Sequence, residues 1–199
     1  MSFFDRFPRP AVPEPESAPS RQPGWARPDD ALGGLVAKEI ILARGSDAVV
    51  AVSGIAAYPN GFAFTLTVVL RQEDRRGELF NQAFHRDFYD EDPPSPGFLR
   101  LGVQFADGAA ASNLGRHPHL DPSADPVGPL LMHGSGGGGG RRYETSYWVW
   151  PLPPPGPMTF VCEWPAHAIG ESRAEVDAEL IRDAATRSVS LLPDDEQTG

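Results

Sequence analysis

The stretch "YPNGFAFTLTVVLR" constrains the fold more than any other part of the chain. Phe62, Phe64, Leu66, Val68 and Leu70 alternate with Ala63, Thr65, Thr67 and Val69. Period two places the larger apolar set on one face, because successive side chains of a strand point to opposite sides. Asn60-Gly61 precedes it, a dipeptide that tolerates the positive φ of tight hairpin turns. The expectation is a half-buried strand folded back on the strand before it, and therefore antiparallel structure.

Other segments extend this pattern. "LVAKEIILAR" and "DAVVAVSGIAAY" are β-branched apolar runs that end at turn residues. Leu99, Leu101, Val103 and Phe105 alternate before Asp107-Gly108, a second hairpin signature. In "RRYETSYWVW", Tyr143, Thr145, Tyr147 and Val149 share one face, and Glu144, Ser146, Trp148 and Trp150 share the other. In "ELFNQAFHRDF", Leu79, Phe80, Ala83, Phe84 and Phe88 recur three and four apart, which predicts a short mid-chain helix over 78–88. A C-terminal helix is predicted to start at a capping box, Ser172 to Glu175, with Val176, Leu180, Ile181, Ala184 and Ala185 as its apolar stripe. No regular βαβ alternation appears. The fold class expected is mainly β (α+β): an antiparallel β-sandwich or bent sheet with the C-terminal helix packed on it.

Proline and glycine set the expected boundaries. Residues 1–34 are proline-rich and poor in aliphatic side chains, so they are expected to form a disordered arm tipped by Phe3, Phe4 and Phe7. Residues 35–192 form the expected single domain, with 115–141 as a long Pro/Gly-rich loop inside it and 193–199 as an acidic disordered tail.

Charge and cysteine content exclude several functions. The net charge is −10, with Lys38 as the sole lysine, so the chain offers no global cationic surface for nucleic acid or anionic membrane. One cysteine, Cys162, permits neither an intrachain disulfide nor a cysteine metal cage. No secretory leader and no membrane-spanning apolar stretch is legible, which points to the cytoplasm.

The glycine run in "HGSGGGGGRRYETSYWVW" resembles a cofactor motif only superficially. A Walker loop needs Gly-Lys-Ser/Thr opening a helix, and a dinucleotide fingerprint needs a strand before the glycines and a helix after them. Here Gly140 precedes Arg141-Arg142 and a strand, so a flexible low-complexity loop is expected, with an anion nest as the lesser reading. Trp148 and Trp150 would form a platform if exposed, unless the C-terminal helix or "PLPPPGP" covers them. The cluster His85, Asp87, Asp90, Glu91 and Asp92 lacks the oxygen spacing of a calcium loop and suits a solvated loop. His117, His119 and His133 would need to converge from a proline-rich segment to hold zinc. No nucleophile elbow exists, Ser53 lies in an apolar strand, and Cys162 alternates with Phe160 and Trp164 as a core residue would. No catalytic residue, cofactor or metal-ligand set is assigned.

Residues 154–188, "PPGPMTFVCEWPAHAIGESRAEVDAELIRDAATRS", resemble the C-terminal end of a group of uncharacterised bacterial proteins from GC-rich genomes. The resemblance rests on a strand, "EWP" and a capped helix. It implies a bacterial cytoplasmic setting and no catalytic residue. The leading functional expectation is a non-enzymatic cytoplasmic protein-interaction domain. Its partner would be another protein, bound through Trp148 and Trp150 with a tethered contact from Phe3, Phe4 and Phe7. The alternative is a small-molecule or carbohydrate-binding β-sandwich using the same tryptophans, with Arg141 and Arg142 gripping an anion. A metal-dependent hydrolase comes last.

Overall fold

A computed structural model describes residues 22–75, 77–85, 93–115, 120, 124 and 126–192, and the following statements concern these residues. Two antiparallel sheets enclose one core. The first contains β2 (Gly34–Leu35), β3 (Ile40–Arg44), β4 (Ala48–Tyr58), β5 (Gly61–Leu70), β8 (Leu130–Gly139) and β9 (Arg142–Trp150). Its order is β2-β4-β5-β9-β8, and β3 also pairs with β4. The second runs β11-β10-β6-β7, built from β6 (Arg100–Gln104), β7 (Ala110–Ser112), β10 (Pro157–Trp164) and β11 (Ile169–Asp177). A small ribbon joins β1 (Ala31–Leu32) to β12 (Val189–Ser190). The mainly β, antiparallel architecture expected from the alternation is the architecture observed.

The alternating residues supply the core. Phe62, Phe64, Leu66 and Val68 of β5 are buried, as are Tyr143, Tyr147 and Val149 of β9. Facing them from the second sheet are Leu101, Val103, Met158, Phe160, Cys162 and Trp164. Phe64 stacks on Tyr147 within its own sheet, with ring centroids 5.5 Å apart, and meets Phe160 edge-on at 5.1 Å. Offset and edge-to-face contacts of this kind suit the ring quadrupoles. The mid-chain helix α1 is shorter than the expected 78–88: it spans Leu79–Phe84, gives way to extended backbone at His85, and buries Leu79, Ala83 and Phe84, while Phe88 lies outside the described residues.

Four further expectations need correction. The β4–β5 turn is Pro59-Asn60, closed by the pair Tyr58 and Gly61, and neither Asn60 nor Gly61 has positive φ. Gly61 is required by space instead, since a Cβ there would stand 2.3 Å from the Val149 carbonyl and 2.6 Å from the Trp148 ring. The residues Ser172–Glu175 lie in β11, and the helix α2 is shorter, Ala178–Ala185. Asp177 caps it by accepting the Glu179 amide at 3.0 Å, whereas Ser172 Oγ donates to the Gly170 carbonyl. Strand pairing of Arg173–Asp177 with β10 overrides local helix preference there, and Leu180 of the expected stripe is exposed. Part of the expected arm is structured, since Gly24, Trp25, Ala26 and Arg27 hydrogen-bond to the first sheet and Ala31–Leu32 pairs with β12. Finally, the expected loop over 115–141 contains β8 from Leu130 to Gly139. The tip residues Phe3, Phe4 and Phe7, and the tail 193–199, lie outside the described residues.

Two predictions follow from this framework. Replacing Asp177 with alanine removes a cap and should cost about 1 kcal/mol in urea unfolding, while Ser172→Ala should stay within about 0.5 kcal/mol. Burial also raises the Cys162 thiol to about 11 from 9.0 and the Tyr147 phenol to about 12 from 10.0. Both groups are held neutral by the folded state, so the stability they contribute is complete below pH 9 and is lost as pH rises from there towards 12. A Cys162→Ala variant should show a shallower alkaline decline in urea midpoint than the parent, whatever its offset at neutral pH.

Candidate functional site: the aromatic face and the glycine edge

The outer face of the first sheet carries the expected aromatic pair, but it is not bare. Tyr58, Ala63 and Trp148 form a second buried cluster, with Ala31, Met132 and Trp150 packed against it. Trp148 is 6% exposed and meets Tyr58 edge-on at 5.6 Å. Neither the C-terminal helix nor "PLPPPGP" provides the cover. The segment leading into β1 does, held by three polar anchors. The Trp148 indole donates to the Trp25 carbonyl at 2.9 Å, and Asn60 Nδ2 donates to the Gly24 and Ala26 carbonyls at 2.7 Å each. Arg27 donates to the Tyr58 hydroxyl with its guanidinium over the same ring. Trp148 is thus not a surface anchor, and Trp150 is half-covered beside it.

Arg141 and Arg142 turn to different partners within the chain. Arg142 pairs with Glu144 at 2.6 Å, and this hydrogen bond holds the Glu144 carboxyl below its usual range. Arg141 Nε donates to the Leu70 carbonyl at 2.9 Å, at the end of β5.

The glycine run forms the outermost strand of the sheet. Gly139 faces Arg142 across a two-residue turn, Gly140-Arg141, and Gly140 takes a φ of +62° at the first turn position. Glycine at that position is what a II′ hairpin requires. Alternate glycines differ in why they are needed. A Cβ on Gly136 would stand 2.5 Å from the Glu144 carbonyl oxygen and 2.7 Å from Thr145 Cβ. At Gly138 it would meet the Arg142 carbonyl at 2.4 Å and Tyr143 Cα at 2.6 Å. Gly137 and Gly139 have nothing within 4 Å of that position. The sequence reading missed this strand because glycine has poor strand preference and presents no side chain to alternate.

The closing pair of a two-residue hairpin exchanges backbone hydrogen bonds, so every second residue turns its N–H and C=O away from the partner. Here those residues are Gly138 and Gly136, and they point outward from the sheet. Positions 133–139 are exposed, and β9 is the only strand paired with β8 among the described residues. The other edges are shielded or short. On the opposite side of the sheet β3 packs against β11, and α2 lies over β2, where Arg187 donates to the Leu35 carbonyl. The edge strand β7 spans three residues.

At the start of this edge, His133 Nε2 lies 2.7 Å from Thr145 Oγ1, and the ring meets Tyr147 at 5.4 Å and His85 at 5.7 Å. Partial burial, then the neighbouring His85, lowers the His133 pKa. Thr145 is 1% exposed, so no substrate reaches its hydroxyl and the pair does not form an attacking nucleophile. His117, His119, Asp87, Asp90, Glu91 and Asp92 lie outside the described residues. Among the described residues, no group of three or more His, Cys, Asp or Glu side chains is placed to hold a metal ion.

A hollow of about 390 Å³ on the outer face of the second sheet opens where Gly102 adjoins Val161. Its charged rim is paired within itself, Arg100 with Glu163 at 2.6 Å and Arg173 with Glu171 at 2.9 Å, while Arg100 Nε is buried without a hydrogen-bond partner among the described residues. Comparison of the chain with protein-family models, curated proteins and solved structures finds no match. The exposed β8 edge is accordingly the feature with the most definite recognition chemistry.

The contrast between alternate glycines is measurable. Gly136→Ala should destabilise the protein by about 1–3 kcal/mol through overpacking against β9. Gly137→Ala enters open space and should change stability by no more than about 0.5 kcal/mol in the same urea titration.

Proposed function

We propose that this chain is a non-enzymatic protein-interaction domain that binds an extended segment of another protein by strand addition at β8. One observation carries the reading: the outward backbone groups of Gly136 and Gly138 are exposed and unpaired among the described residues. An unprotected sheet edge is a template for a further strand, and main-chain hydrogen bonds supply the affinity in such complexes. Natural edges are usually blunted by charged side chains or proline, and Gly136–Gly139 carry neither. Their lack of side chains also lets another backbone approach closely. No helix among the described residues is long and apolar enough to cross a membrane, and the chain's net charge of −10 favours neither nucleic acid nor an anionic membrane as the partner.

The test is co-purification from the native host with the parent and a Gly137→Lys variant. That position is open, so the variant should fold with an unchanged urea midpoint while a charge guards the edge. A near-stoichiometric partner should be recovered with the parent and fall by about tenfold, roughly 1.4 kcal/mol, with the variant. Equal recovery would remove β8 from the interaction.

A further inference from the structure

The edge reading leaves open which strand it receives. A second copy of this chain is a poor fit. Pairing β8 with its own copy would set glycine against glycine, without the cross-strand side-chain pairs that stabilise sheets. It would also bring together two chains that each carry a net charge of −10.

The register specifies the side-chain environment of an added strand. Residues opposite Gly136 and Gly138 would exchange main-chain hydrogen bonds with them, and their side chains would lie on the inner face beside Tyr143 and Thr145, where β9 already crowds both glycines. The residue opposite Gly137 would point to the outer face, over a position with nothing within 4 Å. There it would adjoin Glu144, which is paired with Gly137 across the hairpin. A large flat or β-branched side chain covers a bare edge glycine well, as aromatic neighbours do for glycines in sheets.

Resting on the edge-strand reading above, we infer that β8 receives an extended, net basic segment of another protein, with an aromatic or β-branched side chain opposite Gly137. The positive charge follows from long-range attraction to a chain of net charge −10 rather than from the edge itself, where Arg142 and Glu144 pair with each other; such attraction raises the association rate and selects against acidic competitors. The aromatic or branched side chain supplies the apolar contact that glycine cannot.

The experiment uses the isotopically labelled full chain and three capped synthetic peptides of eight residues. The first alternates tyrosine or valine with lysine. The second carries glutamate in place of lysine, and the third carries glycine and serine in place of tyrosine and valine. Amide shifts and hydrogen-exchange protection are followed by NMR. The first peptide should protect Gly136 and Gly138, and the other two should bind at least about tenfold more weakly. Equal binding of the glutamate or the glycine-serine peptide overturns the partner chemistry, as does perturbation confined to another face. Protection of the edge without peptide, together with a dimeric mass by light scattering, assigns β8 to a second copy and overturns the inference. Failure of all three peptides also overturns it. If the native partner is then still lost with Gly137→Lys, strand addition stands and only the partner chemistry falls. If the partner survives that variant, both fall.

Discussion

Phe64 holds the two sheets in register. It stacks on Tyr147 in its own sheet and meets Phe160 of the other edge-on, so one ring joins β5, β9 and β10. Each neighbour is itself buried, and Leu66, Val68, Val103 and Met158 belong to the same core. Full burial of a phenylalanine is worth roughly 1.5–3 kcal/mol, and truncating one costs about 3–5. Because a one-residue slip would turn every one of these side chains to the opposite face, the same contact sets the strand register. The position of β9 in turn fixes where β8 lies, and with it the exposed edge.

The outer face of the first sheet shows how an apparent binding platform becomes structure. Trp148 and Tyr58 would leave an apolar patch on the sheet if residues 22–32 were absent. Three polar groups of the sheet hold that segment across it: the Trp148 indole, the Asn60 amide and the Tyr58 hydroxyl, the last accepting from Arg27. Large apolar patches are seldom left exposed on a monomeric protein. Among the described residues β8 pairs with β9 alone, and β7 and His85 pack near it.

Much of the architecture was legible because alternation has a single structural meaning. Phe62 to Leu70, Leu99 to Phe105, Tyr143 to Val149 and Phe160 to Trp164 each show period two and bury the larger apolar set, although β5, expected to be half-buried, also buries Ala63 and Thr67 on its other face. The signals that misled were local ones. Ser172 and Glu175 satisfy a capping box, yet six consecutive pairs with β10 hold Ser172 to Asp177 in a strand. Asn60-Gly61 has turn chemistry, yet Gly61 answers to the Trp148 ring. The glycine run had no alternation to read, so its strand was invisible although the strand next to it was clear. Of the candidate site, Trp148 was placed on the correct face and given the wrong exposure.

The amino-acid sequence by itself determined that this chain makes antiparallel sheets, which side chains line their interior, that Cys162 is a core residue, and that the surface is acidic. These properties depend on neighbours in the chain and on the transfer of apolar groups from water, and both can be read one residue at a time. Only the tertiary structure decided that Trp148 is covered, that β11 extends to Asp177, and that Leu130 to Gly139 form a strand paired with β9 alone among the described residues. Those outcomes depend on what lies across a sheet or over its face, and residues 22–32 and β9 reach those places from far along the chain.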